Sequence, residues 1–277
     1  MEQIKYGACD WGLPGGGLYG PRIAADAGLD AISLKIGLYE NDYPITHEPM
    51  QKIYLEEQQR CGIEYCAVAL NDFDNIPMHA RKGTKEYEIV QDLIPRAVQT
   101  ADALGVPIIQ VPGFAASLIR SEEDLECSAS VFRSLCDLAG EKGISVAGEN
   151  VMSPDEFREL YERVGRDNFY LYFDSQNYYL NRGYRETDIL EGLFPLMCNQ
   201  LHVKDGNGAM SGALLGTGDS GFYDTMNWLA EHEYSGYILL ENYYDQLPLR
   251  DAGDPYELLK EDIRILKQQC NAGLKVQ

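Results

Sequence analysis

The segment ISVAGEN, residues 144–150, runs from branched apolar residues into a carboxylate, Glu149, and three later segments repeat the pattern. FYLYFD (169–174) ends in Asp174, NQLHVKD (199–205) carries His202 and YILLEN (237–242) carries Glu241. The intervals are 25 residues from Glu149 to Asp174, 28 from Asp174 to His202 and 39 from His202 to Glu241. Each is close to the length of one strand, one helix and two loops. Successive parallel strands of a closed barrel bring their last residues to one mouth, the C-terminal end, where sites of that fold are built. Two Glu, one Asp and one His make an oxygen-rich set with a single imidazole. Such a set suits manganese, magnesium or cobalt better than it suits a closed structural zinc site.

Outward from these segments, apolar or β-branched runs at about 4–9, 30–35, 63–69, 106–111, 144–149, 169–174, 198–203 and 236–241 read as strands. Helical periodicity fills Met50 to Cys61, Glu86 to Leu104, Glu122 to Lys142, Pro154 to Val164, Tyr223 to His232 and Tyr256 to Cys270. Ser153-Pro154-Asp155-Glu156 sets a cap, a first-turn proline and acids in helix-starting order. Gly28, Gly62, Gly105 and Gly143 sit where a left-handed residue would end a helix before the next strand. The alternation gives an α/β chain, residues 1–277 as a single (β/α)8 TIM barrel domain. An open doubly wound sheet is the rival that the same alternation permits, but a count of eight strands favours closure. Asp10 to Gly17, DWGLPGGG, is glycine-rich but is followed by no Lys-Ser/Thr of a phosphate loop, and reads as an ordinary first loop.

Composition narrows the function. Forty-four acidic against twenty-three basic residues leave a net charge of −21, which repels a phosphate backbone and argues against nucleic-acid binding. The opening MEQIKYGACDWG has no apolar stretch of signal-peptide length, and no run approaches a membrane span, so a cytoplasmic location is expected. Seven scattered cysteines without CxxC pairs read as mostly buried thiols.

One carboxylate at a strand end is ordinarily a cap or an ion-pair partner; four consecutive strands each ending in a potential ligand point to a cation. With GEN, FDSQN, HVKD and LLEN at strands five to eight, the chain resembles the sugar isomerase and epimerase superfamily of the xylose-isomerase-like barrel. The resemblance implies a divalent metal, manganese first and magnesium or cobalt as alternatives, held by Glu149, Asp174, His202 and Glu241. It also implies Glu149 and Glu241 as acid–base pair, a small carbohydrate substrate and a homo-oligomer. A cation chelated by the carbonyl and neighbouring hydroxyl of a ketose acidifies the adjacent C–H, which a carboxylate must deprotonate. Ketose 3-epimerisation or aldose–ketose isomerisation, on a sugar or sugar phosphate, follows. A lyase or dehydratase on an inosose or oxidised sugar is the alternative in the same fold. A multi-metal endonuclease needs more than the four histidines present, and a silent sugar-binding barrel would not need the four ligand types.

Substrate contacts are expected from several further residues. Asn177 falls in D-x-x-N, where relatives carry D-x-x-H. Lys204 lies two residues past His202 on the same strand face, with a surface ion pair to Asp205 as its alternative. Lys35 ends strand two and, with Lys204, could recognise an anionic sugar. Trp11, like Phe114, can wall a sugar face. His79 lies in the long polar loop after strand three, a lid candidate. The glycines of Leu215-Gly216-Thr217-Gly218-Asp219 can offer N–H groups to an anion.

Overall fold

The computed structural model describes residues 4–273. Eight parallel strands close in sequence order into a barrel. They are β1 (Lys5–Cys9), β2 (Ala31–Lys35), β3 (Glu64–Ala69), β4 (Ile108–Pro112), β5 (Ser145–Glu149), β6 (Phe169–Asp174), β7 (Met197–Val203) and β8 (Tyr237–Leu240). Closure is made by β1 against β8, with Ala8 opposite Leu240. The expected strands are all present, with ends displaced by a residue or two; β4 starts at Ile108, so Val106 is left outside it.

Helices α1 (Gly20–Asp26), α2 (Glu48–Cys61), α3 (Lys85–Leu104), α4 (Glu122–Gly140), α5 (Pro154–Val164), α6 (Asn177–Arg182), α7 (Glu186–Leu193), α8 (Phe222–Glu231) and α9 (Pro255–Gly273) surround it. Of these, α1, α6 and α7 are absent from the periodicity reading, because six to eight residues span too few turns to establish a 3.6-residue period. The capping box at α5 forms as the sequence predicts: Glu156 N–H donates to Ser153 Oγ at 3.3 Å and Ser153 N–H donates to Glu156 Oε2 at 2.7 Å. Gly62 and Gly105 end α2 and α3 at φ 68° and 66°, a conformation any side chain would strain.

Because side chains alternate across a strand, each strand feeds two cores. The larger lies between sheet and helices, with Ile32, Val68, Ile109, Val146, Leu171, Leu201 and Ile238 among its buried members. The barrel interior is filled by a smaller group that includes Cys9, Ala31, Cys66, Ile108, Ala147, Tyr172, Cys198 and Leu239. Five of the seven cysteines are buried and all are free thiols. Among the described residues, no helix is long and apolar enough to cross a membrane.

Candidate active site

The inward register that places Ala147, Tyr172, Cys198 and Leu239 inside the barrel continues upward to the mouth. There it delivers Glu149 from β5, Asp174 from β6, His202 from β7 and Glu241 just past β8. Asp174 and His202 are directly paired across β6 and β7. All four are buried, and each offers one donor atom within 4.8 Å of the others. His202 Nδ1 stands 3.4 Å from Glu241 Oε2, 3.7 Å from Glu149 Oε1 and 3.9 Å from Asp174 Oδ2. Donors that each reach a common ion at about 2.0–2.2 Å stand about that far apart.

The remaining lone pairs are accounted for by a surrounding shell. Asp174 Oδ1 accepts the N–H groups of Gln176 and Asn177, both at 2.8 Å. Glu149 Oε1 accepts from Asn177 Nδ2 at 2.8 Å, and Glu149 Oε2 accepts from Gln110 Nε2 on β4. Glu241 Oε1 accepts from Trp11 Nε1 at 2.8 Å and Oε2 from Lys204 Nζ at 2.5 Å. Lys204 Nζ also lies 3.1 Å from Asp174 Oδ2, off the angle of a hydrogen bond. The imidazole is wedged by the Tyr172 ring, centroid distance 4.6 Å, and edge-on by Trp11 at 5.9 Å. Of the fourteen buried side-chain polar atoms without a hydrogen-bond partner among the described residues, two, His202 Nδ1 and Asp174 Oδ2, belong to the four-residue cluster and lie 3.9 Å apart.

These orphaned atoms fit a divalent cation. Buried polar groups are nearly always paired, so two unpaired ones within one cluster call for a common partner. Charge leads to the same conclusion: three buried carboxylates with one ammonium leave two negative charges uncompensated, and a dication balances them. Burial, opposed by Lys204, pushes the Asp174 carboxyl up to about 6. Burial acts in the same direction on Glu241, but Lys204 and then His202 outweigh it and hold that carboxyl well below the usual range. Burial disfavours the His202 imidazolium, yet Cys9 and the carboxylates Glu241 and Glu149 prevail and hold it well above the usual histidine range. Without a cation the protonated ring therefore supplies part of the missing positive charge, and cation binding would release that proton.

The structure brings Asn177, Lys204 and Trp11 into contact with the four potential ligands. Lys204 is 2% exposed and pairs with Glu241 and Asp174, not with the Asp205 that the sequence offered as its alternative. Lys35 ends β2 half-buried, on the inward register of Ala31 and Ser33, and forms no ion pair among the described residues. His79 stands apart from the cluster: its Nε2 lies 3.6 Å from Asp124 at the start of α4, and its Nδ1 is buried without a partner. Phe114 is half-buried after β4.

Three participants escape the sequence reading. Gln110 clamps Glu149; its signal is a polar residue inside the apolar run IIQVP. Cys9 Sγ lies 3.1 Å from His202 Nε2. Asp74, on the turn after β3, is exposed as a residue, yet partial desolvation of its carboxyl, joined by Glu149 and Glu241, pushes that group up to about 6, which puts it within electrostatic reach of the cluster.

The glycine loop after β7 does receive an anion, but from this chain. Asp205 Oδ1 accepts the N–H groups of Gly206 and Ser220 at 2.9 and 3.2 Å, and Oδ2 accepts those of Gly216 and Gly218 at 2.9 and 3.0 Å. Asp205→Ala would strand these donors, and is expected to lower the unfolding free energy by about 2–4 kcal/mol after partial relaxation of the loop, measured by urea titration. Unchanged stability would mean that water reaches the loop amides.

Residues 21–269 match the family model described as the xylose isomerase-like TIM barrel. A relative, the 2-epi-5-epi-valiolone 7-phosphate 2-epimerase of Actinoplanes sp., is 30% identical over 229 residues, 81% of this chain and 82% of its own. Among solved structures, D-allulose 3-epimerase from Methylomonas sp. in complex with D-allulose shares the fold. Its TM-score is 0.74 at 18% identity, over 97% of this chain and 98% of that one. The IolI protein with a bound zinc atom aligns with TM-score 0.74 at 19% identity, over 98% of this chain and 99% of that one. With its barrel closed and a family model spanning residues 21–269, the chain belongs to the xylose isomerase-like TIM barrel family, the sugar isomerase and epimerase lineage that its strand-end motifs implied.

Proposed function

We propose that the chain is a divalent-metal-dependent epimerase that moves a proton at the carbon beside the carbonyl of a small phosphorylated sugar or related polyhydroxy ketone. The observation that carries the reading is the pair of buried glutamates, Glu149 at the end of β5 and Glu241 just past β8, held in one cluster with Asp174 and His202. Glu149, Asp174, His202 and Glu241 would hold the cation, manganese in our reading with magnesium or cobalt as alternatives. When bound, it would stabilise the negative charge that develops on the oxygens of a chelated hydroxy ketone as the neighbouring C–H ionises.

The chain's own groups divide the proton work. Glu241 accepts from a cation, Lys204, which favours its ionised form and makes it the weaker base. Glu149 accepts only from the neutral amides of Gln110 and Asn177. We therefore assign proton removal to Glu149; Glu241, which must first take up a proton from solvent, returns one to the opposite face of the carbon, and the roles exchange in the reverse direction. Asn177 orients Glu149 and Asp174 together, and Trp11 fixes Glu241 while walling the mouth.

Lys35 would take the anionic end of the substrate, because Lys204 is already paired with Glu241 and Asp174. A phosphate there agrees with the phosphorylated substrate named for the Actinoplanes relative. His79, on the β3 loop with Nδ1 unpartnered, could meet a substrate hydroxyl at the rim.

Proton exchange in deuterium oxide, followed by NMR over a panel of free and phosphorylated ketoses, tests this reading with manganese-loaded and chelator-stripped protein. Cation-dependent deuterium incorporation beside the carbonyl, stronger for phosphorylated members, is expected. Loss of water from a substrate without exchange would replace it with the dehydratase reading.

A further inference from the structure

Cys9 has no part in the chemistry above, yet its Sγ lies 3.1 Å from Nε2 of His202, and both residues are wholly inaccessible to solvent. A neutral imidazole carries one N–H, so two arrangements are open. In one, the thiol donates to Nε2 and an Nδ1–H faces Glu241, Glu149 and Asp174. In the other, Nε2–H donates to sulfur and the Nδ1 lone pair faces the carboxylates. Only the second presents a ligand.

We infer that Cys9 is a positioning residue that holds His202 in its Nε2–H tautomer, through an Nε2–H···Sγ hydrogen bond, so that Nδ1 is presented to a divalent cation. The inference rests on the reading of the four-residue cluster as a cation site.

Three observations carry it. His202 Nδ1 is buried and has no hydrogen-bond partner, whereas Nε2 is in contact with the sulfur. The ring is fixed between Tyr172 and Trp11, so its two nitrogens do not readily trade places. Chain closure supplies the sulfur: β1 pairs with β2 and β8, and its last inward residue, Cys9, reaches beneath the ring. Metal-binding histidines ordinarily donate their second N–H to a carboxylate, a carbonyl or water. Here a carboxylate would add a fourth negative charge to a buried centre that already has three, and a neutral thiol directs the ring without that cost.

The test uses the full chain stripped of metal. Dissociation constants for Mn2+ and Zn2+ are measured by calorimetry for wild type, Cys9→Ala and Cys9→Ser. Long-range 1H–15N NMR of the Zn2+-loaded wild type reads the tautomer, with His202 assigned by its loss in His202→Asn. The expected results are an Nε2–H signal for loaded His202, affinity weakened about 10- to 100-fold in Cys9→Ala, and most of that loss restored by the hydroxyl of Cys9→Ser. An Nδ1–H signal in loaded wild type, or wild-type affinity in Cys9→Ala, overturns the role of Cys9 and leaves the cation site standing. A wild type that binds neither ion overturns both. Should Cys9→Ala not fold, the wild-type tautomer and the serine variant decide the matter.

Discussion

Glu149→Gln is expected to lower the rate of epimerisation and of C–H exchange by about 10²–10⁴, the range over which one positioned acid–base group contributes. The substitution keeps the shape of the side chain. It also keeps most of the hydrogen-bond shell: Gln110 Oε1 is buried without a partner, so a flip of that amide lets it accept from the new NH2 group while the remaining oxygen still accepts from Asn177. The protein should therefore fold normally, and the loss should appear in turnover and in cation affinity, not in melting temperature. Glu241→Gln should lose turnover by a similar factor but also stability. Both Glu241 oxygens accept, one from Trp11 and one from Lys204, and an amide offers one oxygen only. Exchange at near wild-type rate in Glu149→Gln would remove Glu149 from the mechanism.

Lys204→Met is expected to destabilise the metal-free protein by about 3–5 kcal/mol, the cost of leaving buried carboxylates without their countercharge. The ammonium is 2% exposed and serves Glu241 and Asp174 together. A loss of that size is a large share of the about 5–15 kcal/mol that holds a typical protein folded. Adding Mn2+ should recover much of it, because the cation supplies the missing positive charge to the same carboxylates. The melting temperature of the variant should therefore rise more on cation addition than that of wild type, where the saturating gain at a hundredfold excess over the dissociation constant is about 2.7 kcal/mol. The check is thermal and urea unfolding with and without cation. A metal-free variant as stable as wild type would show that water, not Lys204, neutralises the carboxylates.

Much of the fold was legible because parallel strands covered on both faces read as short apolar runs, and because loop glycines and caps mark their ends. The candidate site was legible for a related reason. Residues at the ends of β5 to β8 need no partner to be placed, since any closed parallel barrel sends them to one mouth. What surrounds them was not legible. Asn177 and Lys204 are near the ligands in sequence, but whether they face substrate, solvent or the ligands depends on side-chain directions set by packing; both turned to the ligands. Asp205 and the glycines after β7 were separately visible, and only the path of the loop made one the anion of the others.

The sequence by itself determined the (β/α)8 architecture, the four potential ligands and the order in which they arrive, because strand periodicity and chain direction are local properties that survive without knowledge of neighbours. Tertiary structure alone decided which groups orient those ligands. Gln110 reaches Glu149 across the β4–β5 pairing, and Cys9 reaches His202 because closure sets the first strand beside the last. Contacts made through register and closure join residues far apart in the chain, and no local pattern records them.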